Sequence, residues 1–216
     1  TPLRHAVQSD SEKNVELLLD SGADTTIGDM DWGMVPLHYA AQKGHLKMVE
    51  LLIDKGADIN IRSQKHGELP SLEMTPLHYA AQYHQLKVAE FLIESGANMY
   101  AEDASGYTPL HQATISGSLK IIRLLINKGV DPNIESKKNH RTPLHAASYA
   151  HGSIKTLVEL GADINARDPK GRTPLHFALS IKKEPQNAKI LMELGAAIDI
   201  RDNSGHTPLQ VAIENA

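Results

Sequence analysis

The chain contains no cysteine, which excludes disulfides, thiolate metal sites and thiol nucleophiles. Aromatic residues are scarce, with one Trp, two Phe and six Tyr making 4% of 216 residues, so a core has to be assembled from Leu, Ile, Val and Ala in thin layers. No apolar run approaches the roughly 18–20 residues that cross a bilayer, and the opening Thr1-Pro2-Leu3-Arg4-His5 carries no signal-peptide pattern. The expectation is a cytoplasmic protein, or a nuclear one, without membrane insertion. A basic excess is also missing. The formal charge of −4 gives no pull towards phosphate backbones, so nucleic acid is not expected as a partner.

What is present is enough apolar surface for folding, 41% hydrophobic against 22% charged residues, and a period. Thr-Pro-Leu, or Val-Pro-Leu, begins at Thr1, Val35, Thr75, Thr108, Thr142, Thr173 and Thr207, at intervals of 34, 40, 33, 34, 31 and 34 residues. In five units the next residue is His: His38, His78, His111, His145 and His176. Gly-Ala-Asp or a close variant follows in phase at Gly22, Gly56, Gly96, Gly129, Gly161 and Gly195. Thr caps a helix and Pro suits its first position. Ala pairs such as Ala40-Ala41 and Ala80-Ala81 let helices approach closely, and Gly44 or Gly117 ends the first helix. A second helix with a wide apolar stripe follows, as at Leu46, Val49, Leu51, Leu52 and Ile53. Each unit therefore reads helix, helix, projecting loop.

These motifs, covering the whole chain, resemble the ankyrin repeat, with its Thr-Pro-Leu-His-x-Ala signature and period near 33. The resemblance implies an all-α repeat solenoid, a single array of stacked helix-turn-helix units with projecting β-hairpin or loop fingers. The approximate units are 1–34, 35–74, 75–107, 108–141, 142–172, 173–206 and a partial 207–216. A lone unit cannot bury its faces, so stability comes from stacking. Because the chain opens at a helix cap and stops after about one helix of the seventh unit, it is expected to be a fragment of a longer array.

Four departures break the pattern. The interval from Val35 to Thr75 is seven residues longer than 33, so Ser63 to Met74 forms a lengthened finger, either harmless loop growth or a contact element. Trp32, the sole Trp, lies in a finger with Met30 and Met34. It is either folded onto its own loop or a contact anchor. The fifth unit is shortened between Pro143 and Gly161, and its entering finger, Lys137-Lys138-Asn139-His140-Arg141, forms with Lys170 and Arg172 a basic edge suited to an acidic patch or peptide, or simply a solvated loop. Lys182-Lys183-Glu184-Pro185-Gln186 suggests a longer inter-helix loop.

Of twelve histidines, five occupy the repeated position, where the resemblance implies a structural hydrogen-bonding role on successive layers that do not converge as metal ligands must. Arg4 and Gln210 replace this His at the two ends. No nucleophile–base grouping or phosphate loop is present, so neither enzyme activity, metal nor cofactor is expected. Asn60 and Asn165, each in an Asp-Ile-Asn turn, resemble ankyrin sites of asparaginyl hydroxylation; the alternative is hydrogen bonding within their turns.

The resemblance also implies a groove lined by fingers and first helices. The residues there least dictated by the repeat are Gln42, Lys43, Gln82, Tyr83, Ile115, Ser116, Tyr149, Ser180 and Ile181, with Trp32, Tyr107, His140 and Arg172 on fingers. Tyr39 and Tyr79 rank lower as repeat-packing residues. The expected function is a monomeric scaffold or adaptor that binds a protein or peptide partner. The alternative is the ankyrin portion of a larger protein (a channel, a regulated enzyme, or a bacterial or viral effector) whose activity lies elsewhere.

Overall fold

Helices begin where the repeated Thr-Pro-Leu places them. In α1 (Pro2–Gln8), α3 (Pro36–Lys43), α5 (Pro76–Gln82), α7 (Pro109–Ser116), α9 (Pro143–Ala147), α11 (Pro174–Ser180) and α13 (Pro208–Glu214), proline is the first residue, where its missing N–H is no loss and its fixed φ suits the helix. The second helices are α2 (Glu12–Asp20), α4 (Leu46–Asp54), α6 (Leu86–Glu94), α8 (Leu119–Asn127), α10 (Ser153–Glu159) and α12 (Pro185–Glu193). This computed structural model describes residues 1–64, 72–148, 152–180 and 185–214, and no strand occurs among them. The middle of the long finger and the Lys182–Glu184 stretch lie outside the described residues. The shortened fifth repeat has a first helix of 5 residues and a second of 7.

The chain forms two compact units, Thr1–Pro109 and Leu110–Ala216. In the first, α1, α3 and α5 pack side by side, α2, α4 and α6 form a second row, and each helix also packs on its partner within the repeat. In the second, α9, α11 and α13 form one row and α8, α10 and α12 the other.

The rows are held by side chains at fixed positions of the repeat. Leu3, Leu37, Leu77, Leu110, Leu144 and Leu175 of Pro-Leu are buried, as are Leu52, Leu92, Leu125, Leu157 and Leu191 of the second helices. Removing each from water is worth about 2 kcal/mol. Ala40, Ala80, Ala113, Ala147 and Ala178 are buried as well, and their small size permits close approach of neighbouring first helices.

The turn between the two helices of a repeat needs a left-handed residue. Gly44 has φ +77°, and a Cβ there would lie 2.2 Å from Gln85 Oε1. Gln85 in turn donates from Nε2 to the Gln42 carbonyl at 3.1 Å. Gly44→Ala is therefore expected to lower stability by about 1–2 kcal/mol through the left-handed backbone, and to displace Gln85. A fall in the urea midpoint checks it; an unchanged midpoint would show that the turn relaxes freely. His84 occupies the same place in the next repeat with φ 61°, so a side chain is tolerated where its surroundings allow.

Candidate protein-interaction surface

The surface is built on three recurring polar ties between neighbouring repeats. The first uses the histidine after Pro-Leu. Nε2 of His38, His78, His111, His145 and His176 lies 2.9–3.1 Å from the carbonyl oxygens of Ile61, Tyr107, Arg141, Arg172 and His206, respectively. A carbonyl only accepts, so Nε2 carries the hydrogen and Nδ1 is the acceptor. Nδ1 takes the N–H of Val35, Thr75, Thr142 and Thr173 at 3.0–3.2 Å. The hydroxyls of Thr75, Thr142 and Thr173 lie within 2.8–2.9 Å of the same nitrogen. Each ring is buried, and burial pushes the proton affinity of His38 and His78 down to about 4 and lowers that of His145 and His176. Gln210 reproduces the cap half of this arrangement, its Oε1 accepting the Thr207 N–H at 2.9 Å.

The second tie runs backwards from the residue that precedes each second helix's apolar stripe. His45, Gln85, Ser153 and Asn187 reach the carbonyls of Val7, Gln42, Thr114 and Ser148, respectively. The third uses the turn asparagine. Oδ1 of Asn60, Asn133 and Asn165 accepts the N–H of Asn98, Asp163 and Ala197 at 2.7–2.9 Å. Asn60 and Asn165 also bond within their own turns, as expected, each donating its N–H to the preceding Asp58 or Asp163 Oδ1 at 2.9 Å, so that backbone and side chain together join one turn to the next.

Fingers are closed by a residue five or six positions before the next Thr-Pro-Leu or Val-Pro-Leu, or twelve before it in the lengthened finger. Asp103 donates its N–H to the Tyr107 carbonyl, Asp168 to Arg172 and Asp202 to His206, at 2.8–2.9 Å. Their Oδ1 atoms accept two turn N–H groups each. Ser63 and Ser136 replace Asp and accept from Met74 and Arg141 through the hydroxyl. In the first finger, Asp29 accepts from the N–H groups of Asp31, Trp32 and Met34 and from the Tyr39 hydroxyl, the last at 2.7 Å. Burial raises the Asp29 pKa, but these donors outweigh it and the group stays below the usual carboxylate range. Tyr39 is pushed up to about 12 by burial and by Asp29. Tyr79, buried, directs its hydroxyl towards Ser63 at 3.4 Å and packs 5.2 Å from the His38 ring.

Upon this frame, the first unit displays Trp32 at 54% exposure, Met30 at 89% and Ile27 at 50% on a single finger. Tyr83 is exposed at the end of α5, Lys43 is exposed at the end of α3, Gln42 and Gln82 are half-buried, and Tyr107 is half-buried with its carbonyl held by His78. A cleft of about 430 Å³ between the first two fingers is lined by Thr26, Gly28, Gly33, Asp58, Asn60 and Arg62, among others. In the second unit, Ile115 is exposed on α7 and Ser116 bonds to Ser118. His140 is exposed and lies 3.0 Å from Glu135, while Ser180 bonds to the Phe177 carbonyl. Tyr149 and Ile181 lie outside the described residues.

The basic edge of the second unit is partly committed to the fold. Arg172 donates through Nε and Nη2 to Asp168 Oδ2 at 3.1 and 2.8 Å. Its guanidinium carbon lies 4.5 Å from the centroid of the buried Phe177 ring, and that of Arg141 4.4 Å. Phe177 also meets His145 edge-on at 5.4 Å. Lys137, Lys138 and Lys170 are exposed. Arg141 was expected in the basic edge, but its stacking on Phe177 was not, because that ring belongs to the following repeat.

Among the described residues, no three His, Asp or Glu side chains are placed to hold one metal ion, and no helix is long and apolar enough to cross a membrane. The ankyrin-repeat family model matches residues 3–103, 64–136, 98–168 and 144–216. Human and mouse rabankyrin-5 are each 46% identical over 48 residues, 21% of this chain and 4% of those proteins. An ankyrin repeat-containing protein of Schizosaccharomyces pombe is 52% identical over 48 residues, 21% of this chain and 23% of that protein. The solved ankyrin repeat domain of Bcl-3, a member of the IkappaB protein family, superposes with a TM-score of 0.78 at 25% identity, covering 98% of this chain and 93% of that one. The period, the stacked helix pairs and these matches place the chain in the ankyrin-repeat family.

Proposed function

We propose that this array is a protein-interaction scaffold that takes a partner protein or peptide on its fingers and first helices. The observation that carries the reading is the first finger. Three large apolar side chains, Ile27, Met30 and Trp32, face solvent on a loop whose conformation Asp29 fixes through three backbone N–H groups and the Tyr39 hydroxyl. Ordering a floppy loop opposes binding, and a preset loop avoids that loss. Exposed Trp and Met clustered on such a loop are the type of group that dominates interfaces. Tyr83 on α5 and the polar cleft beside the finger extend the surface within the same unit.

A second reading, in which the array serves a larger polypeptide, has support in rabankyrin-5, where the matched segment is 4% of the whole.

Affinity capture from a lysate, with the chain beside a Trp32→Ala, Tyr83→Ala variant of unchanged circular dichroism, tests the scaffold reading. A protein retained by the parent and reduced at least tenfold on the variant is the expected result. Equal retention would remove the finger and α5 from the surface, and no specific retention would overturn the scaffold reading.

A further inference from the structure

Arg141 is held in place by contacts that leave its side-chain Nε without a hydrogen-bond partner. Its carbonyl accepts from His111 at 2.9 Å, and its N–H donates to Ser136 Oγ and Asn139 Oδ1. The side chain lies on the Phe177 ring, 26% exposed. Its Nε is buried with no hydrogen-bond partner, and the nearest carboxylate oxygen, Asp168 Oδ2, is 4.0 Å away and already bonded to Arg172. A guanidinium stacked on an aromatic face keeps its donors in its plane, where a carboxylate can meet two of them. A guanidinium already ordered on its ring loses less freedom on meeting a carboxylate than a mobile lysine does.

The surroundings select the sign of the ligand. Fingers 135–141 and 168–172 carry Lys137, Lys138, Lys170, Arg141 and Arg172 against two carboxylates, of which Asp168 is buried and Glu135 faces His140, and the Phe177 ring brings Arg141 and Arg172 together. The chain as a whole is negative, at −4, which opposes a long polyanion while leaving a local positive field for a short one.

We propose that Arg141 is the anchor for an Asp or Glu side chain of an acidic partner segment that docks across these two fingers, with Lys170 supplying long-range attraction. This rests on the scaffold reading and names the chemistry of one of its contacts.

The test is titration of the arginine-¹⁵N-labelled chain with the tetrapeptide acetyl-Glu-Asp-Glu-Asp-amide, following arginine Nε–H signals. A saturable shift at Arg141, with none at Arg123, is expected. Arg141→Lys, which keeps the charge and loses the fork, is expected to weaken binding at least fivefold with an unchanged amide spectrum. If the Arg141 variant loses its native spectrum, the exposed Lys170→Gln variant decides, with a loss of about threefold expected. Absence of a saturable shift, parent-like affinity in the folded Arg141→Lys or Lys170→Gln chain, or tighter binding of an oligothymidylate than of the peptide would each overturn the proposal. A captured partner lost with Trp32→Ala but indifferent to Arg141→Lys would overturn it too, leaving the scaffold reading intact.

Discussion

Lowering the pH from 7 to 4.5 will strip the array of much of its stability before the finger-closing Asp29, Asp168 and Asp202 titrate. His38 and His78 are neutral in the fold, and burial holds their proton affinity near 4, against 6.5 for an exposed ring. The unfolded chain therefore binds more protons throughout that interval, so the stability these rings confer is complete above pH 6.5 and is lost as the pH falls towards 4. At 1.36 kcal/mol per unit, the loss is on the order of 5 kcal/mol for the two rings by pH 4.5, with His145 and His176 adding in the same direction. Asp29, Asp168 and Asp202, held below the usual 3.8, lose their contribution only at more acid pH, so the two classes of group act in different windows. Urea unfolding at pH 7, 5.5 and 4.5 measures the effect. A midpoint independent of pH over that range would mean that the histidine ties open to water in the native state.

Phe177→Ala is expected to be the most damaging single substitution in the second unit. The ring is 2% exposed, and deleting a buried Phe costs about 3–5 kcal/mol. Two guanidiniums would also lose the face they lie on, 4.4 and 4.5 Å from its centre, each contact worth about 0.5–2 kcal/mol. Phe177→Leu retains most of the volume without the aromatic face and should cost about 2 kcal/mol. Phe177→Tyr, the residue found at this place in the second and third repeats as Tyr39 and Tyr79, should be nearly neutral. Guanidinium chloride unfolding followed by circular dichroism ranks the three. Equal midpoints for the Leu and Tyr variants would show that the ring's volume matters and its face does not.

The helices and their caps were legible in the sequence because Thr, Pro, His and Gly each do a local job at a fixed offset. The structural hydrogen-bonding role of the five histidines followed from the family resemblance, and the structure adds which ring nitrogen donates and that each such bond ends on a carbonyl. The finger-closing Asp of Asp103-x-x-Gly106, Asp168-x-x-Gly171 and Asp202-x-x-Gly205 was equally periodic and could have been found by extending the motif five residues upstream. Bonding of the asparagines within their turns was legible, while their side-chain ties to the next repeat were not, since those donors and acceptors lie 30 to 38 residues apart and a turn considered alone shows only the nearer partners. Arg141 was legible as part of a basic edge but its stacking was not: a charge run in a loop looks solvated until the aromatic residue of the next repeat is brought beneath it.

The histidine ties end on main-chain oxygens of Ile61, Tyr107, Arg141, Arg172 and His206, five residues with nothing in common beyond a peptide group. The adhesion between modules is thus indifferent to the letter written at the receiving position. Changing the residue at the receiving position leaves this bond intact, while its side chain can take other work, as Arg141 and Arg172 do on the Phe177 ring. A lineage can retarget such a chain without renegotiating how its parts cohere.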